Sequence, residues 1–171
     1  MRATVTAFAL AVSFATPALA AKATITVTAL DTGAVLGTIE ATDSKQGLML
    51  KPKLSGLPAG AHGIHLHQNG DCGAKDQDGK TVPGLAAGGH FDPKGTSKHL
   101  GPWSDGGHQG DLPALAVNAD GTAADPLVAP HLKVADLKGR AIIIHAGADN
   151  YADEPKPLGG GGPRMACGVV K

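Results

Sequence analysis

Three features of the sequence predict an all-β domain, a sandwich or barrel of short antiparallel strands. Runs rich in β-branched and apolar residues alternate with polar ones, turn-forming residues separate the runs, and no stretch of useful length carries a helical period. In chain order the predicted strands are Ala23–Leu30, Val35–Ala41, Gly47–Leu54, Ala61–His67, Leu112–Val117, Ala141–His145 and Met165–Val170. Asp31-Thr32-Gly33 and Asp43-Ser44-Lys45 supply turn chemistry between the first three. Aromatic residues make up only 3% of the chain, so Ala, Val, Ile and Leu must fill the core.

The segment ahead of these strands has a different character. Residues 1–20 open with Arg2, run apolar without a further charge and close on Ala18-Leu19-Ala20. A positive start, a short apolar stretch and a small-residue exit predict a secretory signal peptide that is removed. Residues 21–171 then form one exported domain with room for one sizeable core. The chain carries 15 basic and 15 acidic residues, and removal of Arg2 leaves the balance one unit negative. That balance argues against nucleic acid or an anionic membrane surface as partner. In an exported chain with two cysteines, a disulfide between Cys72 and Cys167 is the default expectation. It would close a very long loop, worth about 4–5 kcal/mol on the chain-entropy account.

From Gln68 to Pro113 the sequence is dense in Gly, Asp, Pro and Lys and shows neither period. A long irregular segment in a compact domain needs something other than secondary structure to tie it down, and a disulfide and metals can do so. The short run Gly159–Gly162 reads as a flexible or tight-turning loop, because no Lys-Ser or Lys-Thr follows to make a phosphate cradle.

Histidines carry the chemistry. His65 and His67 lie two apart on a predicted strand, which points both imidazoles to one face, and His145 closes a neighbouring strand. His90, His99, His108 and Asp111 fall at nearly regular intervals in the irregular segment. Imidazoles plus one carboxylate suit a closed tetrahedral zinc site, whereas an all-nitrogen tetragonal set favours copper. The strand-borne trio is one nitrogen short of a square, and His90, with two ring nitrogens, could serve both sites. His62 is out of phase with His65 and is expected to make a structural hydrogen bond; His131, beside Pro130, is expected at the surface.

Several segments, in order through the mature chain, resemble the copper–zinc superoxide dismutases, and the bacterial periplasmic branch most. They are Gly63-Ile64-His65-Leu66-His67, Gly88-Gly89-His90-Phe91-Asp92-Pro93, His99-Leu100-Gly101-Pro102, Gly107-His108-Gln109-Gly110-Asp111-Leu112-Pro113, Ile144-His145-Ala146-Gly147-Ala148-Asp149-Asn150-Tyr151 and Gly162-Pro163-Arg164-Met165-Ala166-Cys167-Gly168-Val169. The resemblance implies a Greek-key β-sandwich or flattened barrel with long metal-binding and active-site loops. It implies one copper and one zinc per chain, superoxide as substrate, and a monomer or a bacterial-type homodimer. Copper would sit on His65, His67, His90 and His145, and zinc on His90, His99, His108 and Asp111, with His90 bridging. Asp149 would accept hydrogen bonds from one copper and one zinc histidine, and Cys72–Cys167 would pin the ligand-bearing loop to the last strand. Arg164 would draw in the anion, and His90 would hand a proton to the second superoxide. Lys75 and Lys80 could steer substrate or be plain solvated lysines. Ile64 stands where an aromatic residue is usual, and Ala148 where glycine is more common. Trp103 could belong to an interface or pack on its own chain.

Two rival readings compete with this one. A periplasmic metal carrier would keep the histidines without requiring Arg164 or Asp149. A zinc hydrolase would need an open fourth position on zinc, which Asp111 fills.

Overall fold

The computed structural model describes residues 20–171, so the expected leader lies outside the described residues except for Ala20. Eleven strands follow in order: β1 (Lys22–Ala29), β2 (Val35–Ser44), β3 (Gly47–Leu54), β4 (Gly60–His62), β5 (Ile64–His67), β6 (Lys75–Gln77), β7 (Lys80–Val82), β8 (Leu115–Val117), β9 (Leu127–Ala129), β10 (Arg140–His145) and β11 (Arg164–Val170). The one α-helix among the described residues, α1 (Val134–Leu137), is a single turn. Seven strands form one antiparallel sheet in the order β5-β10-β11-β1-β2-β3-β9, curled as a half-barrel. The chain's first strand pairs with its last, and β5 pairs with β10 across the long irregular segment. Strands β4 and β8 pair apart from this sheet, as do β6 and β7.

Strand alternation decides where the core and the site sit. On β5, Ile64 and Leu66 face the main core together with Ile25, Ile39, Leu50, Ile142 and Ile144. The residues between them, His65 and His67, point to the sheet's outer face. On β10 the same outer face carries Ala141 and Ile143, which pack with Cys167 and Ala87 as a smaller cluster. Ile64 is fully buried, so the aliphatic residue in that position fills core volume directly beneath the histidines.

The irregular segment roofs this outer face. The disulfide Cys72–Cys167 ties it down, with its two cysteines 95 residues apart in sequence. The segment's backbone also pairs with the free edge of β5: Leu66 N donates to Gly110 O, Phe91 N to Leu66 O and Gln68 N to Gly89 O. These contacts set His90 opposite His67 and Asp111 opposite His65. Gly110 has to be glycine, since a Cβ there would drive into the Leu66 carbonyl and the Phe91 amide.

Three expectations shift in detail. The predicted strand Ala61–His67 is broken at Gly63, whose N–H goes to Gly147 O and whose carbonyl takes the His145 N–H. The predicted strand Leu112–Val117 begins only at Leu115. The irregular segment also contains the β6–β7 hairpin, turning at Asp78 (φ 51°) and Gly79 (φ 75°). Asp-Gly is a hairpin signal, but its polar flanks give no strand alternation to accompany it.

Replacing both Cys72 and Cys167 by serine is expected to lower the unfolding free energy of the metal-free protein by about 4–5 kcal/mol. Urea unfolding of the two forms measures it; a loss below about 1 kcal/mol would show that the loop is held without the bridge.

Candidate metal centre

Strands β5 and β10, the roofing segment and the loop after β10 bring six histidines and two aspartates together. The Cα partner of His145 across the β10–β11 ladder is Arg164, and that of His65 on the β5 side is Ile143. His65, His67, His90 and His145 each offer one ring nitrogen within 4.8 Å of the other three. His65, His90, His99 and Asp111 do the same. All six imidazoles and Asp111 are buried.

The tautomers follow from fixed acceptors, because a carbonyl or an ionised carboxylate can only accept. His67 Nδ1 donates to Gly88 O at 2.9 Å and His145 Nδ1 to Gly162 O at 3.1 Å. Asp149 lies between two rings, its Oδ2 taking His65 Nε2 at 2.7 Å and its Oδ1 taking His99 Nε2 at 2.8 Å. The opposite nitrogens, His65 Nδ1, His67 Nε2, His99 Nδ1, His108 Nδ1 and His145 Nε2, are buried with no hydrogen-bond partner. Buried imidazole nitrogens left bare cost free energy unless something answers them, and a metal ion does so.

One carboxylate oxygen organises the second cluster. Asp111 Oδ1 is 3.0 Å from His90 Nδ1, 3.0 Å from His99 Nδ1 and 3.5 Å from His108 Nδ1. Corners of a zinc tetrahedron with bonds of about 2.0 Å stand about 3.3 Å apart, so His90, His99, His108 and Asp111 fit that ion. The proximity of His65 to this cluster has a separate cause: its ring stacks on His90 with centroids 3.9 Å apart, while its Nε2 is committed to Asp149. His90 therefore faces both groups, with Nδ1 toward Asp111.

Charge supports the same division. Burial, followed by the neighbouring His90, pushes His65 down to about 3. Burial likewise lowers His145 to about 4 and His67 well below its ordinary value. These rings are neutral ligands at neutral pH. His99 goes the other way: burial lowers its pKa, but the carboxylates of Asp111 and Asp149 on either side of the ring outweigh that and raise it to about 9. Burial opposes charge on both aspartates too, yet the histidines around them hold each carboxyl far below the usual carboxylate range. The two carboxylates thus favour a cation between them.

The remaining expected residues are also placed. Arg164 donates one guanidinium nitrogen to Gly84 O and another to Gly88 O. It lines a cleft of about 290 Å³ with His145, Gln77, Val82 and Leu158. Lys75 and Lys80 are exposed on the β6–β7 hairpin, whose Gln77 and Val82 line that cleft. His62 is buried and bonded to His145 O and Pro58 O, both at 2.9 Å. His131 departs from the expected surface position: it is half-buried, with Nδ1 3.4 Å from Asp105 Oδ1. Trp103 is 63% exposed and sets its ring edge-on to Tyr151 at 5.3 Å. Ala148 is exposed beside Asp149.

Sequence reasoning missed Asp153, whose Oδ2 accepts the His99 N–H at 3.0 Å, and the carbonyls of Gly84 and Gly88. Backbone acceptors carry no side-chain signal. Gly159 was read only as part of a turn, but a Cβ there would collide with Asp149 Oδ1 and His99 Nε2.

Buried histidines grouped around two adjacent cation positions, on the outer face of a curled antiparallel sheet, define a two-metal β-protein. Comparison with known proteins makes this specific. The copper/zinc superoxide dismutase (SODC) family matches residues 35–170. The Cu-Zn superoxide dismutase of Photobacterium leiognathi is 53% identical over 163 residues, covering 95% of this chain and 94% of that protein. That of Pasteurella multocida is 61% identical over 137 residues, or 80% of this chain and 74% of the other. The solved Cu/Zn superoxide dismutase from Brucella abortus superposes with a TM-score of 0.85 at 48% identity, covering 88% of this chain and all of that one. This chain belongs to the copper/zinc superoxide dismutase family, and the family's two metals fit the two clusters.

The pKa shifts give a pH dependence for the metal-free protein. Unfolded imidazoles take up protons near pH 6.5, whereas folded His65 and His145 do so only near about 3 and about 4. Stability therefore falls as pH drops below about 6.5, because the unfolded state binds more protons. The contribution of His99 is complete below about 6.5 and is lost as pH rises through about 9. Urea midpoints of metal-free protein are expected to peak near neutrality; a midpoint that rose from pH 7 to pH 5 would contradict these assignments.

Proposed function

We propose that this protein dismutes superoxide to dioxygen and hydrogen peroxide in the periplasm, as an antioxidant defence. We assign copper to His65, His67, His90 and His145, and zinc to His90, His99, His108 and Asp111. The observation that carries the reading is the set of buried, partnerless ring nitrogens converging on either side of His90. Bound copper supplies one-electron redox chemistry, which zinc does not.

The chain's own residues divide the remaining work. His65, His67 and His145 present one nitrogen each because Asp149, Gly88 O and Gly162 O hold the other. Arg164, clamped by two carbonyls in the cleft beside His145, offers a fixed charged fork to a small anion. His90 keeps Nδ1 toward Asp111, which leaves Nε2 as the atom that holds a proton and passes it to the second superoxide. Lys75 and Lys80 add positive charge on the hairpin that walls the cleft, which supports a steering role. The leader-like residues 1–20 and the Cys72–Cys167 bridge support export to an oxidising compartment. Among the described residues no helix is long and apolar enough to cross a membrane.

A metal-carrier reading would leave Arg164 and Asp149 without a purpose, whereas the structure commits five hydrogen bonds to them. Superoxide dismutation by protein of measured metal content decides the matter: activity that follows copper and disappears on copper chelation is expected, and its absence in fully loaded protein would overturn the proposal.

Arg164→Ile is expected to slow dismutation about tenfold or more and to flatten its dependence on ionic strength, with copper and zinc content unchanged. Salt-dependent kinetics equal to those of the unmodified protein would remove Arg164 from the reaction. For Asp111→Ala, zinc affinity should fall more than about a hundredfold, beyond the usual cost of losing an outer partner of a metal ligand. Zinc stoichiometry that survives this change would reject the zinc ligand set.

A further inference from the structure

We infer that Tyr151 is a positioning residue of the zinc site, holding Asp149 and Asp111 at a fixed separation on opposite sides of His99. The inference rests on the metal assignment proposed above. His99 lies between the two carboxylates: its Nε2 donates to Asp149 Oδ1 at 2.8 Å, and its bare Nδ1 faces Asp111 Oδ1 at 3.0 Å across the zinc position. The two carboxylates come from different loops, so something must link those loops. Among the described contacts, Tyr151 touches both.

Its backbone N–H donates to Asp149 Oδ1 at 2.7 Å. That bond requires the chain to turn back on itself, and Tyr151 sits in the left-handed region at φ 56°. A bulky residue there is strained, and glycine would be the ordinary choice if only the turn mattered. The side chain offers a reason for its presence. The phenol oxygen accepts from Ala114 N at 2.8 Å, three residues beyond Asp111. The side chain lies against Gly101, where a Cβ would come within 2.8 Å of the Tyr151 Cβ and 3.0 Å of its ring, and Gly101 N donates to Asp111 Oδ2 at 3.2 Å. Trp103 meets the same ring edge-on, with centroids 5.3 Å apart. One residue thus fixes the Asp149 turn through its backbone, the chain after Asp111 through its hydroxyl, and the His99–Gly101 segment through its ring.

Two variants separate these contacts. Tyr151→Phe keeps the ring and loses only the hydroxyl; Tyr151→Gly keeps the turn, with less strain, and loses the ring as well. Both are loaded at the zinc site with cobalt(II), whose visible absorption reports tetrahedral geometry, and zinc affinity is measured by chelator competition on copper-free protein. Zinc affinity should fall about tenfold in Tyr151→Phe and further in Tyr151→Gly, with a changed cobalt band in both. The copper(II) absorption of copper-loaded protein should change less than the cobalt band, because only the Asp149 contact reaches a copper ligand, through His65. A residue serving only general stability would lower the melting temperature without altering the cobalt band, and that result, or zinc affinity within twofold of the unmodified protein in both variants, overturns the inference. Failure of the unmodified chain to bind zinc would instead reject the metal assignment.

Discussion

A buried imidazole has two nitrogens to satisfy, and for His65, His67, His99 and His145 the fold satisfies one and leaves the other facing inward. Gly88 O serves His67, Gly162 O serves His145, and Asp149 serves both His65 and His99. Without those partners the rings could rotate or exchange tautomers, and the inward nitrogens would not converge. The partners also work through charge, since carboxylates on both sides of His99 favour a cation where burial alone would exclude one. Asp149 is the most constrained of them, because a single carboxylate sets the orientation of one ring from each cluster.

The placement of the rings depends on strand alternation. Strand β5 gives its even-numbered residues to the core and turns His65 and His67 outward onto a face that would otherwise be solvated. Roofing that face takes a long segment with little regular structure, and such a segment loses much entropy on ordering. The disulfide, the backbone pairing along β5 and the metal ligands themselves supply the compensation. This explains why ligands and braces are interleaved in sequence, with Cys72 shortly after His67 and Cys167 shortly after Arg164.

Much of this was legible in the residues. Alternation located most strands of the main sheet, and the two-residue spacing of His65 and His67 placed both on one face. The remainder was hidden for physical reasons. The β6–β7 hairpin has polar strands that pack on no core, so only its Asp-Gly turn announced it. Strand β9 spans three residues, Leu127–Ala129, too few to show a period. The carbonyls that orient His67, His145 and Arg164 belong to glycines whose side chains say nothing about what their backbones accept. Gly159 looked like part of a turn and Gly110 like one more residue of the irregular segment, and their necessity is steric, set by atoms far away in the sequence. His131 looked exposed because Pro130 suggested a surface turn, and only the folded loop brings Asp105 beside it.

The way residues 89–91 and 110–111 lie along β5 has a further result. An edge strand with free N–H and C=O groups is a template on which another chain can build sheet. Strand β5 ends the seven-stranded sheet, yet its outward groups are occupied by the very backbone that delivers His90 and Asp111. The residues that assemble the metal centre therefore also cover the β5 edge, and an ordered centre leaves no free strand there on which another chain could pair.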